Sequence, residues 1–405
     1  MTRVRARGWM LLGPAFVAAI AYVDPGNVAA NLSGGARFGY LLVWVLVAAN
    51  LIAAVVQYQS ARLGIVSGKT LPALLGERMR PAPRRAFWVQ AELVAVATDL
   101  AEVVGGAIAL KLLFGLPLLL GGIIVGVISM LLLAAQSRFG QRSFESVVIG
   151  LLAIIAVGFL AGLFVHPPDG GEILGGLLPR FDGTDSVLLA ASMLGATVMP
   201  HAIYVHSALA RDRHGMAESA DARTRLLRAT RWDVIIALGI AGLVNIGMLL
   251  LAAANLRGVE GTNTIEGAHA AINASLGPVI ALAFAIGLLA SGLASTSVGS
   301  YAGATIMAGL VKRQIPLFLR RLITLIPALA VLGLGVDPTW ALVISQVVLS
   351  FGIPFALIPL FRLTNDRAVM GGAANGRAMR WTLGVIVVLV VALNAALIVL
   401  LVGGL

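Results

Sequence analysis

The sequence contains no cysteine. That excludes disulfides, thiolate metal sites and thiol catalysis, so any metal the protein handles must be held by oxygen, nitrogen or thioether donors. Charge is nearly as scarce, with 12% charged residues against roughly a quarter in soluble domains. Hydrophobic residues make up 59% of the chain, and the mean hydropathy is +0.97. A soluble enzyme is excluded, and the chain reads as a polytopic membrane protein. The longest stretches without an apolar run are the connections 166–184 and 211–231, so no large soluble domain fits. The chain is one transmembrane domain over residues 1–405 whose partner is the lipid bilayer.

The formal charge of +11 could suggest nucleic acid, but the arginines lie in short connections between apolar segments rather than on one basic face. Eleven apolar segments long enough to span about 30 Å lie near 9–32, 39–61, 86–112, 117–136, 144–165, 185–210, 232–256, 270–296, 320–336, 339–361 and 381–403. Arg3, Arg5 and Arg7 precede a polar-interrupted segment without a small-residue cleavage pattern, which reads as a retained first helix rather than a signal peptide. With the N-terminus cytoplasmic, only Arg37, Arg180 and Arg257, together with Lys111 near an outer helix end, escape the inner connections. This bias puts the N-terminus inside the cell and the C-terminus outside, in a multi-pass protein of the inner (plasma) membrane.

Two segments are interrupted. Ala21-Tyr22-Val23-Asp24-Pro25-Gly26-Asn27 and Gly195-Ala196-Thr197-Val198-Met199-Pro200-His201 each place a proline among polar groups inside an apolar run. Proline removes a backbone donor and breaks the helix, leaving carbonyls unpaired at membrane depth. An intramembrane carboxylate such as Asp24 is expensive unless it is paired, protonated or bound to an ion. The breaks fall in the first and sixth segments, five apart, so the two halves enter the membrane from opposite sides, as inverted repeats require. The repeats span about 9–165 and 185–361, with an extra helix at 381–403.

Other polar groups stand inside apolar segments. Asp99 and Glu102 are three residues apart on one helical face, either lining a proton path or satisfied by an arginine. Gln346 is either glue between helices or an inward-facing ligand. The acidic connection 166–184 reads as a solvated loop. His201 and His206 are five apart and do not share a helical face. No HExxH pattern accompanies them, which disfavours an intramembrane metalloprotease; each is either a cavity-lining group or a satisfied structural histidine.

At the breaks, Asp24 offers a hard oxygen, Asn27 an amide oxygen, Ala21 and Ala196 free carbonyls, and Met199 a thioether. A sulfur among oxygens gives no advantage for calcium or magnesium and favours softer ions such as manganese, ferrous iron, cobalt or cadmium.

Together, Asp24-Pro25-Gly26-Asn27 and Met199-Pro200-His201, with the Asp99/Glu102 pair and the run Ser345 to Leu360, resemble the Nramp family of proton-coupled divalent metal transporters, and the likeness extends along most of the chain. The resemblance implies an all-α leucine-transporter-type fold of eleven transmembrane helices, with repeats of helices 1–5 and 6–10 and broken helices 1 and 6. It implies alternating access, with import of Mn2+ or Fe2+ and protons and no resident cofactor, in a protein taken as a monomer. By the same resemblance Asp24, Asn27, Met199, the Ala21 and Ala196 carbonyls and Gln346 look like the metal ligands. Asp24, Asp99, Glu102, His201, Arg320 and Arg321 look like the proton route. Ala202 departs from the asparagine that many relatives carry after Met-Pro-His. A sodium-coupled amino-acid symporter of the same architecture is the alternative, and the carboxylate at the first break would repel its anionic substrate.

Overall fold

The structure is a computed structural model and describes residues 13–139, 141–215, 219–312 and 315–402. The expectations for Arg3, Arg5, Arg7, Arg313 and the start of the first segment at 9–12 lie outside them, as does the last residue of the 381–403 segment. Among the described residues the chain is all helix and turn.

The first segment is α1 (Pro14–Ile20), a short 3-10 turn over Ala21–Val23, and α2 (Pro25–Phe38). There follow α3 (Val43–Ser67), α4 (Pro81–Phe114), α5 (Leu118–Phe139) and α6 (Gln141–Leu160). The second half opens with α7 (Gly183–Thr197) and α8 (Pro200–His214). It continues through α9 (Ala220–Asn255), α10 (Pro278–Leu310), α11 (Leu317–Gly333) and α12 (Pro338–Asn365), and α13 (Arg377–Val402) closes the chain. Prolines sit in the first turn of α1, α2, α4, α8, α10 and α12, where the missing N–H would have been unpaired anyway.

Eight helical runs are long and apolar enough to cross a bilayer, with Pro25–Ser67 counted as one run. Counting α1 with α2 and α7 with α8 as single broken passages, and adding the shorter α5 and α11, gives the eleven expected from the sequence. Helices run past the expected apolar segments at several ends, α9 starting at Ala220 rather than near 232 and α10 ending at Leu310 rather than near 296, and one expected span is divided. The span expected at 270–296 is a separate helix Ile265–Leu276 followed by α10 at 278–310. Gly277, at φ +89°, turns the chain and Pro278 restarts it; apolarity runs through the turn, so hydropathy alone could not locate it.

The packing repeats between halves. The helix after the first break, α2, lies along α9, and the helix after the second, α8, lies along α3; α6 packs on α10 as α4 packs on α12, and α4 and α10 pack on each other. Each half thus supplies the element that the other half's broken helix rests on. The contacts are close enough to exclude side chains: a β-carbon on Gly35 would lie 2.4 Å from the Leu249 carbonyl oxygen, and one on Gly64 would lie 2.1 Å from that of Ser207. Small residues at crossings are how helices associate in lipid, where no hydrophobic force draws them together.

Candidate substrate site at the two helix breaks

Asp24 ends the first half-helix and caps the second. Its Oδ1 accepts the Asn27 backbone N–H at 2.8 Å and the Asn27 Nδ2 at 2.7 Å, the arrangement of an aspartate at a helix N-cap. Capping accounts for one oxygen only, since Oδ2 is buried and has no partner. The same Asn27 amide donates to the Ala196 carbonyl at 3.0 Å, joining the first break to the second. Met199 is the residue immediately before α8, and Asp24, Asn27, Met199 and Gln346 are all fully inaccessible to solvent.

Gln346, on α12, touches both breaks. A β-carbon on Gly26 would lie 1.8 Å from its Nε2, and one on Gly195 would lie 2.0 Å from its backbone oxygen. At Gly195 only glycine admits the α12 backbone so near, whereas at Gly26 the crowding is with the Gln346 side chain. The Gln346 Nε2 donates to Ser345 Oγ at 3.2 Å, while its Oε1 is left without a donor. Four oxygens of the two breaks and their neighbour are therefore buried and unpartnered: Asp24 Oδ2, Asn27 Oδ1, Thr197 Oγ1 and Gln346 Oε1. Each such atom costs on the order of 1–3 kcal/mol when nothing replaces water. Among the described residues no three histidines, cysteines, aspartates or glutamates gather to hold a metal ion. The polar groups gathered at the breaks are one carboxylate and neutral oxygens, and Met199 is the residue from which the second half-helix of that passage starts.

A second cluster adjoins the first. Pro25 packs against Gly105 on α4, where a β-carbon would lie 2.0 Å from its Cβ. One turn below, Asp99 and Glu102 face Arg321 of α11, with Nη1 2.7 Å from Asp99 Oδ1 and 3.7 Å from Glu102 Oε2. The guanidinium also donates from Nε to Ser129 Oγ at 3.0 Å and from Nη2 to Thr296 Oγ1 at 3.3 Å. His201 joins at the edge, its Nδ1 lying 3.3 Å from Thr98 Oγ1. Arg320 is not in this cluster; it pairs instead with Glu92 at 2.8 Å, because successive residues of a helix point about 100° apart. His206 lies elsewhere, its Nδ1 2.7 Å from Gln57 Oε1, and Gln57 in turn donates to the Tyr22 hydroxyl.

Sequence reasoning missed Thr197, Glu92, Asn245 and Ser291. Asn245 on α9 donates from Nδ2 to the Tyr22 carbonyl at 2.6 Å, and Ser291 on α10 donates from Oγ to the Val23 carbonyl at 2.5 Å. The demand for such donors was legible in the broken helix, but which distant polar residues meet it was not.

A family model described as "Natural resistance-associated macrophage protein-like" matches residues 15–400. The chain belongs to the Nramp family. Among Nramp relatives it is 62% identical over 396 residues to "Divalent metal cation transporter MntH" of Mycobacterium tuberculosis, covering 98% of this chain and 92% of that one. It is 46% identical to the protein of the same name from Bacillus subtilis, covering 96% and 91%. A solved structure of an Eremococcus coleocola manganese transporter superposes with a TM-score of 0.86 at 30% identity, covering 97% of this chain and 87% of that one. The inward-facing structure of Mhp1 matches with a TM-score of 0.56 at 18% identity over 86% of this chain, a likeness of fold alone that agrees with the leucine-transporter-type architecture. This Nramp protein is a transporter rather than an enzyme.

Proposed function

We propose that the protein imports divalent transition-metal ions, Mn2+ and Fe2+ with Co2+ and Cd2+ as further substrates, together with protons, by alternating access across the plasma membrane. The observation that carries this reading is the set of buried oxygens without donors at the two breaks, beside a thioether-bearing residue. The side-chain ligands are Asp24, Asn27, Met199 and Gln346, joined by the Ala21 and Ala196 carbonyls. Relatives named as divalent metal cation and manganese transporters support the substrate class.

Asn27 points its amide nitrogen at Asp24 and the Ala196 carbonyl, so a cation seated between those two groups takes the amide oxygen once the amide turns. Metal entry then replaces a hydrogen bond with a bond to the ion, which couples occupancy to how the two broken helices meet. The buried carboxylates Asp99 and Glu102, with Arg321 and His201, provide titratable groups beside the site through which a proton leaves Asp24 when metal binds. Arg320, paired with Glu92, would carry the route toward the face on which the arginine-rich connections lie. That face is taken as cytoplasmic, with the N-terminus inside and the C-terminus outside, and the protein acts as a monomer without a resident cofactor.

Uptake into proteoliposomes with internal pH recorded tests the reading. Mn2+ uptake should acidify the lumen, and Asp24→Asn should abolish both signals. No Mn2+ uptake by the parent protein would overturn the substrate, and uptake with an unchanged lumenal pH would overturn the coupling.

A further inference from the structure

A helix that stops in a membrane strands its last carbonyls, and in a cation site any stranded carbonyl is a candidate ligand. At the first break the carbonyls of Ala21, Tyr22 and Val23 precede Asp24. Two of them are taken by side chains from different helices: Asn245 Nδ2 donates to Tyr22, and Ser291 Oγ donates to Val23. Asn245 is held in that orientation because its own Oδ1 accepts Asn31 Nδ2 at 2.9 Å. Ser291 is fixed by close packing, since a β-carbon on the next residue, Gly292, would lie 3.0 Å from the Glu102 carbonyl oxygen on α4. Both donors are fully buried.

We propose that Ser291 and Asn245 are specificity-determining positioning residues that withdraw the Val23 and Tyr22 carbonyls from the substrate's coordination sphere, keeping the site too poor in oxygen for calcium. The inference rests on the metal-transport reading and adds a selectivity mechanism distinct from the thioether. Calcium takes six to eight oxygen ligands in a flexible shell, whereas a smaller, softer ion is satisfied by fewer oxygens and a sulfur. Every carbonyl released at the break would favour the larger ion. A site can thus reject calcium by occupying its surplus oxygens as well as by offering sulfur.

The test is Ca2+ competition against Mn2+ uptake in proteoliposomes, together with the shift in melting temperature that each ion gives the purified protein. Ser291→Ala should make Ca2+ about tenfold more effective as a competitor, one unit of log affinity, and should give Ca2+ a melting shift that the parent lacks. Ser291→Thr keeps the hydroxyl and should retain the parental ratio. Asn245→Ala should move the ratio in the same direction as Ser291→Ala. A merely structural serine would change the rates for all metals together, so an unchanged Ca2+ to Mn2+ ratio in Ser291→Ala and Asn245→Ala overturns the assignment. Should Ser291→Ala fail to fold, Ser291→Cys retains the volume with a weaker donor: a raised ratio supports the assignment and a parental ratio overturns it. Absence of Mn2+ uptake by the parent protein would refute the transport reading itself rather than this one.

Discussion

Asn27 donates one side-chain amide both to Asp24 Oδ1 at 2.7 Å and to the Ala196 carbonyl at 3.0 Å. Residues of the two broken helices, about 170 positions apart in sequence, are thereby tied by a buried group that also carries an acceptor oxygen without a partner. On the proposed metal-transport reading, turning that oxygen to a cation between the breaks would break the tie made by the amide nitrogen. Removing the amide should therefore damage transport more than removing an ordinary buried hydrogen bond. Asn27→Ala is expected to lower initial Mn2+ uptake rates at least about tenfold, while a control substitution at exposed Val388 of α13, Val388→Ala, leaves them unchanged.

Met199 is the N-cap residue of the half-helix that follows the second break. Met199→Ala should relax the rejection of Ca2+ and Mg2+ while leaving part of the Mn2+ transport, because hard ions gain nothing from a thioether. Competition of each ion against Mn2+ uptake checks this, and intact calcium rejection would contradict the role given to the sulfur.

Arg321 is the sole cation facing Asp99 and Glu102 among the described residues, and its side chain is fully buried. Arg321→Ala would leave two carboxylates in the interior without a counter-charge, a change that typically destabilises by about 3–5 kcal/mol. The variant should inactivate at a markedly lower temperature in detergent. Asp99→Asn combined with Arg321→Ala should recover part of the loss, because one stranded charge is then removed as well.

Gly64 and Gly35 hold the crossings on which the two halves rest. A β-carbon at Gly64 would press on the Ser207 backbone rather than on a movable side-chain tip. Gly64→Ala and Gly35→Ala should each cost about 1–3 kcal/mol of overpacking strain, visible as lowered thermal stability. Gly384→Ala, where a β-carbon meets open space inside α13, should not lower stability and gains up to about 1 kcal/mol of helix propensity.

Outside the membrane, Arg78 donates to Asp366 at 2.7 Å and holds its carboxyl below the ordinary 3.8. A lowered folded value means that the pair stabilises above the unfolded pKa and that this contribution fades as pH falls through the folded one. Asp366→Asn should therefore melt below the parent at neutral pH, and the difference should close under acid conditions below pH 3.8. A gap that stays constant with pH would contradict the assignment.

Much of this architecture can be read from the chain because its signals are local. Pro25 and Pro200 announce the breaks, and Asp99 and Glu102, three apart, must share a face. What stays hidden is what depends on which helices meet. Asn245 and Ser291 look like ordinary polar residues of apolar helices until the fold brings them to Tyr22 and Val23. Arg320 and Arg321 are adjacent in sequence and so cannot serve one cluster, but only the packing of α11 on α4 decides that Arg321 faces Asp99 while Arg320 faces Glu92.

Crystals soaked in Mn2+ and measured at the manganese absorption edge test the central claim most directly. The account predicts one anomalous peak bonded to the Asp24 carboxylate and the Met199 sulfur, with the Asn27 amide turned to present its oxygen. A peak bonded to neither residue, or Mn2+ held only in the outer connections, would contradict it.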